Sequence, residues 1–248
     1  APYIAHLAGR LLNNYPQASA NLLRALLANH AYVTQEIAST FENKEHTRRV
    51  AGYGVVDEDS LFKSSEEHVV LITEEKIEND KHQFFEIPIP DDYFRKGKAI
   101  RTITASLAYS PSVRTTRLEY LATKMKFHLV NGDSLDSVAK AFNNENKTQI
   151  NSIGESDGSK RDITQDDRSR GTLQSSTWTY NQFGKPRKLF LVVTRQDQPW
   201  AQNQVNDEES YALAISITDR ENEEARLYQQ ISEKLQAREQ VKQRAKII

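Results

Sequence analysis

The chain opens with Ala1-Pro2-Tyr3-Ile4-Ala5-His6-Leu7-Ala8-Gly9-Arg10-Leu11-Leu12, a stretch with the composition of a buried helix. Small and apolar side chains cover most of the helical circumference, which is typical of a helix surrounded by protein. Pro2 suits the first turn, where a helix does not need the missing N–H. Gly9 weakens a helix unless another backbone approaches it closely. We therefore expect this stretch to be the downstream part of a core helix that belongs to a larger protein.

The same residues resemble the end of the serine motif of subtilisin-like proteases, Gly-Thr-Ser-x-Ala-x-Pro-x-x-Ala-x-x-Ala. Pro2, Ala5 and Ala8 match its last three defined positions, and the serine itself would lie three residues before Ala1. The segment 14–29, a proline turn followed by a Leu-Arg-Ala-Leu-Leu helix, resembles the next part of such proteases. Gly52-Tyr53-Gly54-Val55-Val56-Asp57 resembles the Gly-x-Gly-x-(Val/Ile)-(Asn/Asp) that closes their catalytic domain. The three matches occur in the family's order and cover residues 1 to about 62.

This resemblance implies a serine endopeptidase whose Asp, His and Ser lie outside the chain. Residues 1–13 would then form the platform behind the nucleophile, with helix-end N–H groups contributing to the site. His6 is interpreted as a core or rim residue, because the family's histidine comes from an earlier segment. We accordingly assign no catalytic, cofactor-binding or metal-binding residue, and we expect the fragment alone to be inactive.

Composition excludes several other classes. The 248 residues carry a net charge of −1, so no global basic field attracts nucleic acid. The chain has no cysteine, which excludes disulfides and thiolate chemistry. No apolar run is long enough to cross a bilayer. We also find no Gly-x-Ser-x-Gly elbow, no zinc-type histidine pair and no phosphate-binding glycine loop.

Beyond residue 63 the hydrophobic pattern changes to the period of two that indicates strands. Within 121–130, Lys124 and Lys126 alternate with apolar residues, which predicts a sheet with one wet face. Pro88 and Pro90 end another strand and suit a sheet edge. The predicted strands are 68–73, 83–90, 100–109, 121–130, 173–180, 188–194 and 211–217.

The predicted fold class is therefore mixed. A helical remnant of an α/β subtilisin catalytic domain (1–63) precedes a mainly antiparallel, jelly-roll-like β-sandwich (64–219). The polar segment 143–170 is expected to be an exposed insertion, and 220–248 a long charged helix. Residues 32–51 show no clear period and are interpreted as a loop with a short helical turn.

Three features allow two interpretations each. The acidic residues Glu155, Asp157, Asp166 and Asp167 suggest a calcium site, but they lack the usual ligand spacing and favour a solvated loop. The aromatic residues Trp178, Tyr180, Trp200 and Tyr211 form either a carbohydrate-stacking platform or ordinary packing. In the last helix, the stripe of Leu227, Ile231 and Leu235 either packs on the preceding strands or serves docking and oligomerisation.

The predicted function is the C-terminal fragment of a subtilisin-like serine endopeptidase. It would supply the helix behind the nucleophile and an accessory domain for stability or for selecting substrates and partners. The expected partners are the rest of the catalytic domain and protein substrates, with no nucleic acid or membrane. The architecture also resembles bacterial subtilases paired in their operons with an AAA ATPase, which implies an ATPase partner and a cytoplasmic location. The alternative is a non-enzymatic binding or adaptor module.

Overall fold

The computed structural model describes residues 2–41, 43–94, 100–143, 162–180, 188–201, 205–220 and 226–245. Its helices are α1 (Pro2–Asn14), α2 (Ala20–Asn29), α3 (Gln35–Thr40), α4 (Lys44–Ala51), α5 (Glu58–Phe62), α6 (Leu135–Asn143), α7 (Gln165–Arg168) and α8 (Leu227–Ala245). Its strands are β1 (Ala31–Tyr32), β2 (Val55–Val56), β3 (His68–Glu78), β4 (His82–Ile87), β5 (Ile100–Tyr109), β6 (Thr123–Gly132), β7 (Leu173–Tyr180), β8 (Lys188–Asp197) and β9 (Glu208–Arg220).

The strands form three antiparallel sheets. One is the short ribbon β1–β2, the second has the order β3-β9-β5-β7, and the third has the order β4-β8-β6. The inner faces of the two larger sheets share one hydrophobic cluster, in which Trp178 contacts Phe127 edge to face with ring centroids 6.2 Å apart. Burying each large apolar side chain of this kind contributes about 1.5–3 kcal/mol.

The outer face of the four-stranded sheet carries small side chains, and α2 lies on it. Leu22, Ala25 and Leu26 of the helix belong to one buried cluster with Ala108, Ala212 and Ala214 of the sheet. Only small residues at these positions allow a helix to approach the sheet so closely. Ser19 begins α2 as predicted, because its hydroxyl accepts a hydrogen bond of 3.2 Å from the Leu22 amide.

The predicted fold class is wrong. The helices of 1–63 are not a helical remnant beside a β-sandwich: α2 forms a layer on the sheet, and the chain is a mixed α/β fold with three antiparallel sheets. The alternation of side chains correctly identified most of the strands, but it gave no information about which element covers the outer face of the sheet. The region 32–51 is likewise not a loop, because Thr34 and Asn43 cap two short helices, α3 and α4.

Other local predictions have mixed outcomes. Lys124 and Lys126 are half-exposed between buried neighbours, and β4 lies at a sheet edge, so both expectations are confirmed. The carbohydrate platform is wrong, because Trp178, Tyr180 and Tyr211 are buried in the core.

The polar segment 143–170 is described only in part. Residues 144–161 lie outside the described residues, Glu155 and Asp157 among them. The end of the segment is not wholly exposed, because Ile163 and Arg168 are buried. The Arg168 guanidinium lies 4.5 Å from the Phe127 ring centroid and donates to the Phe127 carbonyl at 2.7 Å.

The last helix, α8, covers only part of the predicted 220–248, whose residues 221–225 and 246–248 lie outside the described residues. Its first turns pack back on the strands, since Leu227 and Ile231 belong to the shared core cluster. Leu235 is exposed. The side chains of the helix are described as far as residue 236.

The domain boundary near residue 63 stays a prediction, and the two buried clusters define its test. Every residue of the larger cluster lies beyond residue 68, whereas the second cluster joins residues from both sides of the boundary. We expect a chain of residues 64–248 to fold but to expose the face that α2 covers. Its free energy of unfolding should be lower than that of the full chain by at least about 3 kcal/mol, because it lacks the burial of two leucine side chains.

Thermal unfolding and binding of the dye ANS would measure both effects. Increased ANS binding together with one cooperative transition is the expected result. A chain of residues 64–248 that melts without cooperativity would contradict the boundary.

Candidate functional site

Helix α1 has two apolar faces, and only one of them is covered. Leu7 and Leu11 are completely buried against the rest of the chain. Leu12 lies on a second face of the helix together with Ala5 and Ala8, and its side chain remains 41% exposed, while Ile4, at the N-terminal end of the buried stripe, remains 42% exposed. An amphipathic surface helix would carry polar residues there. The second face is therefore an uncovered apolar surface, which we call the open face of α1.

The covered side of α1 is fixed to helix α5. The hydroxyl of Tyr3 donates to the Glu58 carboxylate at 3.0 Å, and the Arg10 guanidinium forms an ion pair with the same carboxylate. Arg10 also lies over the Phe62 ring, 4.2 Å from its centroid. These contacts orient α1 by their geometry, because ion pairs at such exposure contribute little free energy.

The glycine motif that follows α4 is a turn with strict steric requirements. Gly52 and Gly54 have positive φ angles of 61° and 97°. A Cβ atom on Gly54 would lie 2.1 Å from the Tyr32 carbonyl oxygen, whereas a Cβ atom on Gly9 would meet nothing within 4 Å. The first finding explains why the turn needs glycine beside the β1–β2 ribbon. The close backbone approach expected at Gly9 is not found among the described residues.

Two histidines meet where the N-terminal helices contact the four-stranded sheet. His30 Nδ1 lies 2.9 Å from the Leu26 carbonyl oxygen, so we assign the hydrogen of neutral His30 to this atom. Its Nε2 atom then accepts from His68 Nε2, 3.4 Å away. Burial lowers the pKa of His30. Burial, with His30 and Arg220 nearby, lowers the pKa of His68 to about 4, although Asp57 opposes both shifts.

A second contact pairs a histidine base with a hydroxyl group, but it lacks the oxyanion-binding groups of a catalytic site. His82 Nδ1 lies 2.8 Å from the Thr194 hydroxyl, and the two residues face each other across β4 and β8. The His82 ring also packs against Phe142, with centroids 5.4 Å apart. Both residues lie on paired strands, and Phe142 belongs to the last turn of α6, whose partial negative charge cannot stabilise an oxyanion. We assign this pair to packing between strands.

The remaining predicted sites give no further chemistry. Asp166 and Asp167 are exposed, and within the ranges described above no three acidic or histidine side chains form a metal-binding group. None of the described helices is both long and apolar enough to cross a membrane. His6 is exposed. The sequence analysis missed the His30–His68 pair, because its members are distant in the chain and lack a motif.

Gly54, which is crowded by the Tyr32 backbone, and Gly9, which has open space beside it, provide a matched pair of test positions. We expect Gly54→Ala to lower the free energy of unfolding by about 1–3 kcal/mol, because the backbone must move away from the Tyr32 carbonyl. Gly9→Ala in the same chain should raise it by about 0.5–1 kcal/mol through helix propensity alone. Urea unfolding of both variants measures these changes, and a destabilising Gly9→Ala would show that the space beside Gly9 is already filled.

The histidine pair predicts a loss of stability in mild acid. Because both folded-state pKa values are lowered, the neutral pair stabilises the fold fully above about pH 6.5. This contribution is lost as the pH falls from there towards about 4, the pKa of folded His68. Melting temperatures of a His68→Gln chain should therefore fall less over this range than those of the control His6→Gln. Equal pH dependence of the two variants would contradict the assignment.

Comparisons with known proteins yield one relevant relative. No protein-family model matches the chain. The chain is similar to the uncharacterized protein y4bN of Sinorhizobium fredii (strain NBRC 101917 / NGR234), with 29% identity over 245 residues. The aligned region covers 96% of this chain and 55% of that protein. The chain thus spans about half the length of the curated relative it matches.

Proposed function

We propose that this chain is the C-terminal portion of a subtilisin-like serine endopeptidase, a hydrolase in which α1 stands behind the nucleophile. The observation that supports this most strongly is the open face of α1, an apolar surface around Leu12, Ala5 and Ala8 beside a face that is already buried. In the proposed enzyme, the rest of the catalytic domain covers this face. The space beside Gly9 then holds the neighbouring backbone for which the glycine is suited.

The position of α1 fits the electrostatic requirements of the proposed reaction. The first turn of the helix contains Pro2, and the proposed serine precedes this turn. Free N–H groups at a helix N-terminus carry partial positive charge and stabilise negative charge that develops nearby. The chain itself supplies neither the serine nor its histidine and aspartate partners. Its role is to hold the helix, through Leu7, Leu11 and the Glu58 contacts, at a fixed angle.

The glycine turn and the sheets have a supporting role in this proposal. Gly52 and Gly54 occupy the positions of the motif that closes subtilase catalytic domains, and both adopt the positive φ angles that favour glycine. The strands beyond residue 63 support α2, which in turn packs on α1 through the cluster of Leu7, Leu11 and Leu22. We propose that this part stabilises the catalytic unit and selects substrates or partners.

Partners and location follow from the same proposal. The rest of the catalytic domain and protein substrates are the first partners, and the resemblance adds a cytoplasmic ATPase. The length of the Sinorhizobium fredii relative is compatible with further sequence of this kind, since the aligned region covers only 55% of that protein.

A fluorophosphonate probe tests the proposal directly, because it reacts with activated serine nucleophiles. We expect the full translation product of the gene to be labelled and the isolated chain 1–248 to remain unlabelled. Labelling of the isolated chain would refute the assignment. Absence of labelling in a folded full product would favour the alternative, a non-enzymatic binding or adaptor module.

Variants of the open face test the role of α1 separately. We expect Leu12→Asp in the full product to abolish labelling, because it buries an unpaired charge against the catalytic domain. The same substitution in the isolated chain should change the melting temperature little, because Leu12 is exposed there. Asn13→Asp, on an exposed polar position of the same helix, is the matched control. Full labelling of the Leu12→Asp product would show that the face is not covered.

A further inference from the structure

A cleft of about 570 Å³ lies at the beginning of strand β6. It is lined by residues 118–121, 124–126, 169–170 and 196–199, and we call it the β6 cleft. The loop between β5 and β6 forms one wall of the cleft. Leu118 lies at the tip of this loop, and its side chain is fully exposed to solvent. Tyr120, on the same wall, is about half exposed. Leu118 and Tyr120 thus present two exposed apolar side chains beside a concave surface.

The charges around the β6 cleft are predominantly positive. Lys126 and Arg170 line it, and Arg114 and Arg117 lie on the adjoining loop. Arg170 lies 3.8 Å from the Asp167 carboxylate, at the limit of an ion pair. Among the described residues, Lys126, Arg114 and Arg117 have no carboxylate within ion-pair distance. This local excess of positive charge contrasts with the net charge of −1 for the whole chain. The cleft therefore attracts negatively charged ligands although the protein as a whole does not.

The carboxylates that line the β6 cleft are already engaged. Asp197 accepts hydrogen bonds of 2.9 and 2.8 Å from buried Arg195, and a third of 2.7 Å from the Thr123 hydroxyl. Glu119 forms an ion pair with Lys124. Neither acid thus offsets the charge of Lys126 or of the loop arginines. Their field acts on whatever enters the cleft.

The wall opposite the β6 strand is held in place by an aromatic side chain. Trp200 donates from Nε1 to the Glu119 carbonyl oxygen at 3.1 Å, and the Arg117 guanidinium lies 5.7 Å from the Trp200 ring centroid. These contacts fix the β5–β6 loop while Leu118 at its tip stays uncovered. The surface is thus preformed, which lowers the entropic cost of binding.

The edge of β6 is closed to another strand. Gln174 donates to the Met125 carbonyl at 2.7 Å and Arg168 to the Phe127 carbonyl at 2.7 Å, while the Met125 amide donates to the Tyr109 hydroxyl. A peptide in the cleft cannot pair with Met125 or with the Phe127 carbonyl through main-chain hydrogen bonds, because these groups are occupied. Recognition at the cleft must therefore depend on side chains.

We propose that the β6 cleft binds an acidic segment of a partner protein, anchored by one large apolar side chain. The apolar anchor packs against Leu118 and Tyr120, while carboxylates on either side meet Lys126, Arg170 and the loop arginines. The positive charges around an apolar centre favour this occupant. The site lies away from α1 and does not require the proposed protease activity.

A defined peptide tests this site on the chain 1–248. The probe is a fluorescein-labelled peptide in which one leucine is flanked by three glutamates on each side. Matched probes replace the leucine by alanine or all glutamates by lysine. We expect the acidic leucine peptide to bind more tightly than both, with an affinity that falls as salt is added. Fluorescence anisotropy measures the binding.

Variants of the protein locate the binding. Lys126→Glu combined with Arg170→Glu should weaken the acidic peptide by about tenfold or more, since two attractions become repulsions. Leu118→Ala should weaken the leucine peptide but leave the alanine peptide unchanged. Lys140→Glu, a single charge reversal at an exposed position of α6, is the control for each of the two reversals and should have no effect. Circular dichroism confirms that each variant is folded.

Three results would overturn the proposal. The first is equal binding of the leucine and alanine peptides, which would remove the apolar anchor. The second is an equal effect of Lys140→Glu and the double reversal, which would reduce the binding to non-specific charge attraction. The third is tighter binding of single-stranded DNA of equal charge than of the acidic peptide, with the same sensitivity to the double reversal.

Discussion

The position of the N-terminal helices depends on the contact between α2 and the outer face of the four-stranded sheet. The Asn29 amide nitrogen lies within 3.1, 3.3 and 2.9 Å of three acceptors on the sheet: the Thr104 carbonyl, the Ser106 hydroxyl and the Ala214 carbonyl. The Ser106 hydroxyl in turn donates to Ser175 on the neighbouring strand. Buried polar groups are costly unless they are paired, so this network fixes the helix at one position.

That contact also explains where sequence reasoning succeeded and where it failed. Strands β5 and β7 were predicted at their observed limits, because their side chains alternate, with Ile103, Leu107 and Trp178 buried in the core. The outer positions of these strands and β9 carry alanine, serine and threonine, a composition typical of a solvent-exposed face. A helix covers that face instead, so the fold class was misjudged although most strands were found. Periodicity identifies faces, whereas layering depends on contacts between residues that are distant in the chain.

The two proposed interaction surfaces, the open face of α1 and the β6 cleft, show the same limit of sequence-based prediction. The apolar circumference of α1 predicted complete burial, but only the side with Leu7 and Leu11 is covered. The β6 cleft was missed because its walls come from separate segments, and only Leu118 beside Arg117 in a polar stretch gave a local signal. Both surfaces combine exposed apolar side chains with a rigid support. The two proposals assign different interactions to these surfaces, apolar packing at α1 and mainly charge at the β6 cleft.

The occupied edge of β6 has a consequence for the behaviour of this chain at high concentration. A bare outer strand can template the pairing of further copies, the first step of fibril growth. Here Arg168, near the end of the polar segment 143–170, and Gln174 of β7 bind two carbonyl groups at that edge, those of Phe127 and Met125. These two side chains thereby protect the start of β6 against self-templated pairing, and we expect the loss of either one to favour insoluble assemblies.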